Sequence, residues 1–317
     1  MDFNLDLLAE TAILQAKVGA VTIGQMAGLP IAELGVVYKE RESGTPATKM
    51  GDRAAERMRE VTKEAFPDNS VRIINEELGD VGPTDAPLVC YEDPDDGSSL
   101  MLNWEQGDPL PVTGVSYVGD GKLLVSAVGD FTHQQVVYFV AGYGAFVVPL
   151  GGGEAKKLLP VEAHDHKRSF VFTDALLNPF TLEGNEPGKA SAQLLVMGAG
   201  RMLNAVGKFA QNSRTQASCL VHLAKLAKGL ADIVVIHAMS GYWDIGIHGA
   251  CQAVGCRVTD IFGNDIEGPG PGEDGSYPFL LGTAPGIDHD YLLEQARIAY
   301  GKDYAGFRGP NYQGRVR

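Results

Sequence analysis

Two apolar runs in the first third of the chain end in clustered carboxylates, and that pairing limits what the rest can fold into. VRIIN, residues 71–75, leads into Glu76-Glu77. APLVCY, residues 86–91, leads into Glu92, Asp93, Asp95 and Asp96, then Gly97-Ser98-Ser99. Apolar runs of this length, bounded by turn residues, read as buried strands. Four carboxylates within five residues repel one another and destabilise a fold that takes them out of water. Acids at strand ends can converge in space, and loops at such ends are where function concentrates. Asp244 marks a third acidic site of the same design, closing a loop and opening a helix. Hard divalent ions such as Mg²⁺ take oxygen ligands from a few carboxylates, waters and substrate phosphate. Such an ion would stabilise the cluster.

The chain has 317 residues, 44% of them hydrophobic, enough to bury a large core in one big domain or two lobes. Lys and Arg total 26 against 40 Asp and Glu, a formal charge of −14. That balance argues against nucleic-acid or anionic-membrane partners, which need clustered Lys and Arg. A small anionic substrate stays open, because a metal ion inverts the local field. Cys90, Cys219, Cys251 and Cys256 show no CxxC spacing and read as buried thiols in a reducing compartment. The acidic start MDFNLDLLAE is unlike a signal peptide, and no apolar run reaches the roughly 20 residues of a membrane span. A cytoplasmic protein is expected.

Helical periodicity covers residues 5–26 and 53–66, and an N-cap of the second helix is one alternative for Asp52. Apolar runs flank Gly119-Asp120-Gly121, a strong hairpin signal, and a second hairpin turns near Gly142-Tyr143-Gly144. Gly151-Gly152-Gly153 marks the expected seam between an N-terminal lobe, 1–153, and a C-terminal lobe, 154–301, with a tail at 302–317. The second lobe reads as strands at SFVFTD, ADIVVIHAM, CRVTDIFG and YPFLLGTA. Its helices are expected at 190–209, at QASCLVHLAKLAKGL, from Trp243-Asp244, and at DHDYLLEQARIAYG with Asp288 as N-cap. Mixed helices and strands in this order imply a layered α/β or α+β fold.

INEE, EDPDDGSS and GYWDIGIHGACQAVGCRVTDIFG, in that order, resemble the three metal-site motifs of the inositol monophosphatase/fructose-1,6-bisphosphatase superfamily. RTQASCLVHLAKLAKGLADIVV and AGYGAFV are similar to two further family segments, so the resemblance runs from about residue 36 to residue 265. It implies an αβαβα sandwich and a Mg²⁺-dependent, lithium-sensitive phosphomonoesterase using two or three ions. It also implies a small phosphorylated metabolite as ligand and a homo-oligomer, dimer or tetramer. Residue by residue, it assigns metal binding to Glu76, Asp93, Asp96 and Asp244, with Glu77 the neighbouring acid. Asp95 stands where the family's backbone carbonyl binds metal. The phosphate and substrate positions are Gly97, Ser98, Ser99, Ser218 and His237. Asp52 matches the acid that, with the hydroxyl of Ser98, orients the attacking water.

The pattern also departs from the family. T-x-x-D is usual upstream, whereas here three residues separate Thr48 from Asp52. His237 stands where some members carry a substrate-contacting Glu, and E-A-G-G is replaced by AVGC. His248 reads as a packing residue. Arg201, Lys208 and Arg214 are candidates for a second phosphate, but helix-surface charge is the commoner role for such residues. Trp104 follows the phosphate turn. The expected activity is hydrolysis of a sugar or polyol phosphate, with a 3′-phosphonucleotide phosphatase or a non-catalytic metal- or phosphate-binding relative as alternatives.

Overall fold

The structure, a computed structural model, describes residues 3–35, 37–38, 46–68, 70–98, 100, 108–163, 169–174, 202, 204, 206, 210–216, 218–237, 241–270, 275–277 and 279–300. Helix α1 (Leu5–Met26) is followed by a short α2 (Ile31–Leu34), strands β1 (Val37–Tyr38) and β2 (Pro46–Ala47), and α3 (Lys49–Ala65). A large sheet contains β3 (Val71–Asn75), β4 (Gly79–Val81), β5 (Leu88–Asp96), β6 (Val112–Gly119), β7 (Lys122–Asp130), β8 (Gln135–Val140), β9 (Gly144–Pro149) and β10 (Lys156–Lys157). The strand order is β10-β9-β8-β7-β6-β5-β3-β4. Every pairing is antiparallel except β3 with β5.

A second sheet contains β11 (Ser169–Asp174), β12 (Ala210–Gln216), β13 (Ile233–His237), β14 (Arg257–Thr259) and β15 (Phe279–Thr283), ordered β12-β11-β13-β15-β14. Helices α4 (Cys219–Ala227), α5 (His248–Ala253) and α6 (His289–Tyr300) accompany this sheet. Met202, Asn204 and Val206 are also helical.

Period-two burial builds the layers. On one face of the first sheet, Val115, Tyr117, Val125, Ala127, Val136 and Tyr138 pack with Leu8, Ala12, Ala16 and Ala20 of α1 and Met58 of α3. The opposite face, including Val112, Leu123, Val128 and Val137, joins α4, α5 and the second sheet in one core. Gly282 of β15 lies against Leu226 of α4. Thr283, one residue on and therefore on the opposite face, bonds to His289 at the start of α6. The result is the αβαβα layering.

Two boundaries differ from the sequence reading. Helix α3 begins at Lys49, and its N-cap is Thr48, whose side chain accepts from the Gly51 N–H at 3.3 Å. Asp52 is thus an exposed residue inside the helix and not its cap. The triglycine does not end the first sheet, because β10 beyond it pairs back onto β9. The passage between the two sheets lies between Lys157 and Ser169. Asp120 and Gly121 both take positive φ, 51° and 74°, as a tight Asp-Gly hairpin requires. Helix α1, at 22 residues, is long and apolar enough to cross a membrane. Its Ala12, Ala16 and Ala20 are instead fully buried on the first sheet.

Candidate active site

The parallel pairing of β3 and β5 sets the site. Asn75 lies opposite Glu92, so the C-terminal ends of both strands, with their acids, emerge at the same edge. The Glu76 N–H continues the ladder by donating to the Glu92 carbonyl at 3.1 Å. The Asn75 side chain accepts from the Glu77 and Leu78 N–H groups at 3.0 and 2.9 Å and turns the chain just after Glu76. Asp244 comes from the other half of the chain. It ends a 3₁₀ turn, Tyr242–Asp244, that packs on β5 through an edge-on contact of Tyr242 with Tyr91, ring centroids 5.1 Å apart.

Glu76, Asp93 and Asp244 each offer an oxygen within 4.8 Å of the others. Asp93 is only 1% exposed. Its Oδ1 accepts from the Asp95 N–H at 3.1 Å. Among the described residues, its Oδ2 is buried with no hydrogen-bond partner. Burial, followed by the charges of Glu76, Asp96, Asp244 and Asp95, pushes the Asp93 carboxyl well above its ordinary range. A buried carboxylate with an orphaned oxygen, grouped with two further acids, fits a hard divalent cation, which would supply the missing partner and cancel the repulsion. Glu76, Asp93 and Asp244 are the residues placed to hold one.

The remaining predicted positions divide. Asp96 turns toward α4, where its Oδ2 accepts from Ser218 Oγ at 2.8 Å and from the Leu220 N–H at 2.7 Å. Ser218 caps the same helix by accepting from the Val221 N–H at 3.2 Å. Its hydroxyl therefore donates to Asp96 and orients that carboxylate. Gly97 has φ +94°, a conformation that favours glycine, and places Ser98 in the turn that follows. Asp95 is buried, and its Oδ2 accepts from Thr48 Oγ1 at 3.2 Å. His248 is buried against Tyr242, whose hydroxyl lies 2.9 Å from its Nε2; burial lowers its pKa to about 3, so it packs as neutral imidazole. Ser99, Trp104, Arg201 and Lys208 lie outside the described residues, as do the side chains of His237 and Arg214.

Glu92 is a supporting residue with no role assigned to it from sequence. Strand alternation points it away from Asp93, into a fully buried site between α1 and α3. Gln15 Nε2 and Asn75 Nδ2 each donate to its carboxylate at 2.7 Å, and Tyr117 OH donates to Gln15 Oε1 at 2.7 Å. Burial raises Glu92 to about 7 against these donors. Through Asn75, this network braces the turn that carries Glu76. Gln15 and Glu92 are 77 residues apart, so nothing in the local sequence links them.

The description of the family whose model matches residues 4–299 is "Inositol monophosphatase family". No match is found among curated proteins. Solved structures show the same fold at low identity. The extragenic suppressor protein suhB from Bartonella henselae superposes with a TM-score of 0.69 at 16% identity, over 94% of this chain and 99% of that one. An inositol monophosphatase from Thermotoga maritima gives 0.66 at 18%, over 92% and 96%. An inositol monophosphatase/NADP phosphatase complexed with Mg²⁺ and phosphate gives 0.64 at 16%, over 87% and 89%. With nearly the whole chain matched and the acids of three segments gathered at one sheet edge, this protein belongs to the inositol monophosphatase family of phosphomonoester hydrolases.

Proposed function

We propose that the protein hydrolyses a small sugar or polyol phosphate in a Mg²⁺-dependent reaction, with Glu76, Asp93, Asp96 and Asp244 holding the metal. One observation carries this reading. The carboxylates of Glu76, Asp93 and Asp244 converge within 4.8 Å, and one of them is buried with an oxygen that has no hydrogen-bond partner among the described residues. A cluster that repels itself when empty becomes favourable once cations fill it. When bound, Mg²⁺ lowers the pKa of a coordinated water and stabilises charge on the transferred phosphoryl group. The chain's own contribution is placement. Asp96, fixed by Ser218 and Leu220, is held at the junction of β5 and α4. The turn at Gly97-Ser98 lies immediately beyond it, in reach of a phosphate.

The relative complexed with Mg²⁺ and phosphate supports the metal and the ligand class. The test is phosphate release from inositol 1-phosphate, fructose 1,6-bisphosphate, 3′-phosphoadenosine 5′-phosphate and NADP, with Mg²⁺ and then with EDTA. Mg²⁺-dependent turnover of a sugar or polyol phosphate is expected. Preference for either nucleotide would overturn the substrate class. Metal binding without turnover of any substrate would overturn the enzymatic reading.

A further inference from the structure

Helix α3 opens toward the acid cluster, but it brings no acid of its own there. Its third residue is Gly51, buried beneath β5, while Asp52, one position on, is exposed to solvent. A Cβ placed on Gly51 would lie 2.8 Å from Asp95 Oδ1 and 2.9 Å from Asp95 Cγ. The space a side chain at residue 51 would occupy is therefore filled by the carboxylate of Asp95, reaching across from the neighbouring strand. Asp95 is 3% exposed and is tethered by Thr48 Oγ1 at 3.2 Å, so it cannot easily swing aside. Thr48 ties the two elements together, since the same hydroxyl accepts from the Gly51 N–H. Glycine inside a helix costs about 1 kcal/mol relative to alanine. Here it leaves room for a carboxylate.

We infer that Asp95 is the carboxylate that positions and deprotonates the attacking water, and that Gly51 is its structural counterpart. This rests on the proposed phosphatase reaction. Asp95 follows Asp93 by two residues, and its N–H donates to Asp93 Oδ1. Its carboxylate nevertheless points to Thr48 and Gly51, which leaves the Glu76, Asp93 and Asp244 oxygens to the cation. The Asp95 N–H bond to Asp93 Oδ1 sets it beside the metal cluster, where a carboxylate can act as a general base. In the reaction the water oxygen forms a bond to phosphorus and the ester P–O bond breaks. The water proton passes to Asp95, and the leaving alkoxide takes a proton from solvent. Ester and water become alcohol and phosphate, and Asp95 then returns its proton to solvent.

The test is a double-mutant cycle on the full chain, read by thermal melting without metal, by Mn²⁺ binding, and by kcat and KM on the phosphoester turned over fastest in the panel above. Asp95→Ala is expected to lower kcat at least 100-fold, with KM and Mn²⁺ affinity each within about threefold of wild type. Asp52→Asn is expected to cost at least tenfold less in kcat. Gly51→Asp alone should lower the melting temperature through the clash with Asp95. Combined with Asp95→Ala, it should recover both the melting temperature and at least tenfold of the lost kcat. That non-additivity marks exchange of one carboxylate for another.

The inference fails if Asp95→Ala retains wild-type kcat, if Asp52→Asn costs more than Asp95→Ala, or if the double variant is no better than its parents. Weakened Mn²⁺ binding on a scale that accounts for the kcat loss would make Asp95 a metal ligand and overturn it as well. A wild-type protein that binds Mn²⁺ but turns over no phosphoester would refute the phosphatase reading itself, a distinguishable result.

Discussion

Replacing Asp93 by Asn separates the stability of the empty protein from its capacity to hold metal. Asp93 shares a space of 4.8 Å with the oxygens of Glu76 and Asp244. At that distance, two unit charges repel by about 3 kcal/mol at an effective dielectric of about 20, and by about 1 kcal/mol in bulk water. Asp93 is pushed toward its protonated form by burial and these neighbours, which caps the repulsion actually felt near neutral pH. Asn keeps an oxygen to accept from the Asp95 N–H and turns an amide toward the other acids. The metal-free variant should therefore be more stable than wild type by about 1–3 kcal/mol, a rise of roughly 1.5–4.5 °C at this chain length. With Mg²⁺ at about 1,000 times its dissociation constant, wild type gains about 4.1 kcal/mol, whereas Asp93→Asn should gain little. The order of melting temperatures thus reverses between EDTA and Mg²⁺, and scanning calorimetry under both conditions reads it. A variant less stable than wild type in EDTA, or one keeping the full Mg²⁺ shift, would refute the reasoning.

Glu92 predicts a pH dependence of opposite sign to an ordinary paired carboxylate. Its folded value of about 7 lies above the ordinary 4.5, so the folded state holds the proton more tightly and stability falls as pH rises from about 4.5 to 7. Between pH 5 and pH 8, metal-free wild type should lose about 2–3 kcal/mol relative to Glu92→Gln in urea denaturation; a flat difference would show that the network keeps Glu92 ionised. Ser218→Ala removes both the cap of α4 and a donor to Asp96. It should cost about 1 kcal/mol in thermal melting and weaken Mn²⁺ binding about 10-fold or more. Unchanged Mn²⁺ affinity would remove Asp96 from the metal account.

Local chemistry made several elements legible from sequence. Asp120-Gly121 specifies its hairpin because both residues tolerate positive φ. The runs 71–75 and 88–91 identify themselves as buried strands by apolar content. Ser218 and Thr48 illustrate where this reach ends: each is an N-cap, but the second bond, to Asp96 and to Asp95, crosses between elements 122 and 47 residues apart in sequence. The triglycine was read as a seam, but a break in local pattern does not reveal whether the next strand rejoins the same sheet. Lys156 and Lys157 do rejoin it.

Three acidic segments that must be accommodated are legible in the residues alone, and their order and resemblance point to the family. Local pattern carries that information, because strand ends, turns and caps depend on nearby residues. Which way each acid faces depends on long-range packing. Pairing β3 parallel to β5 aligns Glu76 with Asp93. The alternation of β5 sends Glu92 into the opposite layer. The missing side chain at Gly51 leaves space for Asp95. Neighbouring acids in the chain thus came to occupy different environments, because a strand's two faces, and the helices packed on them, are set by contacts far away in sequence.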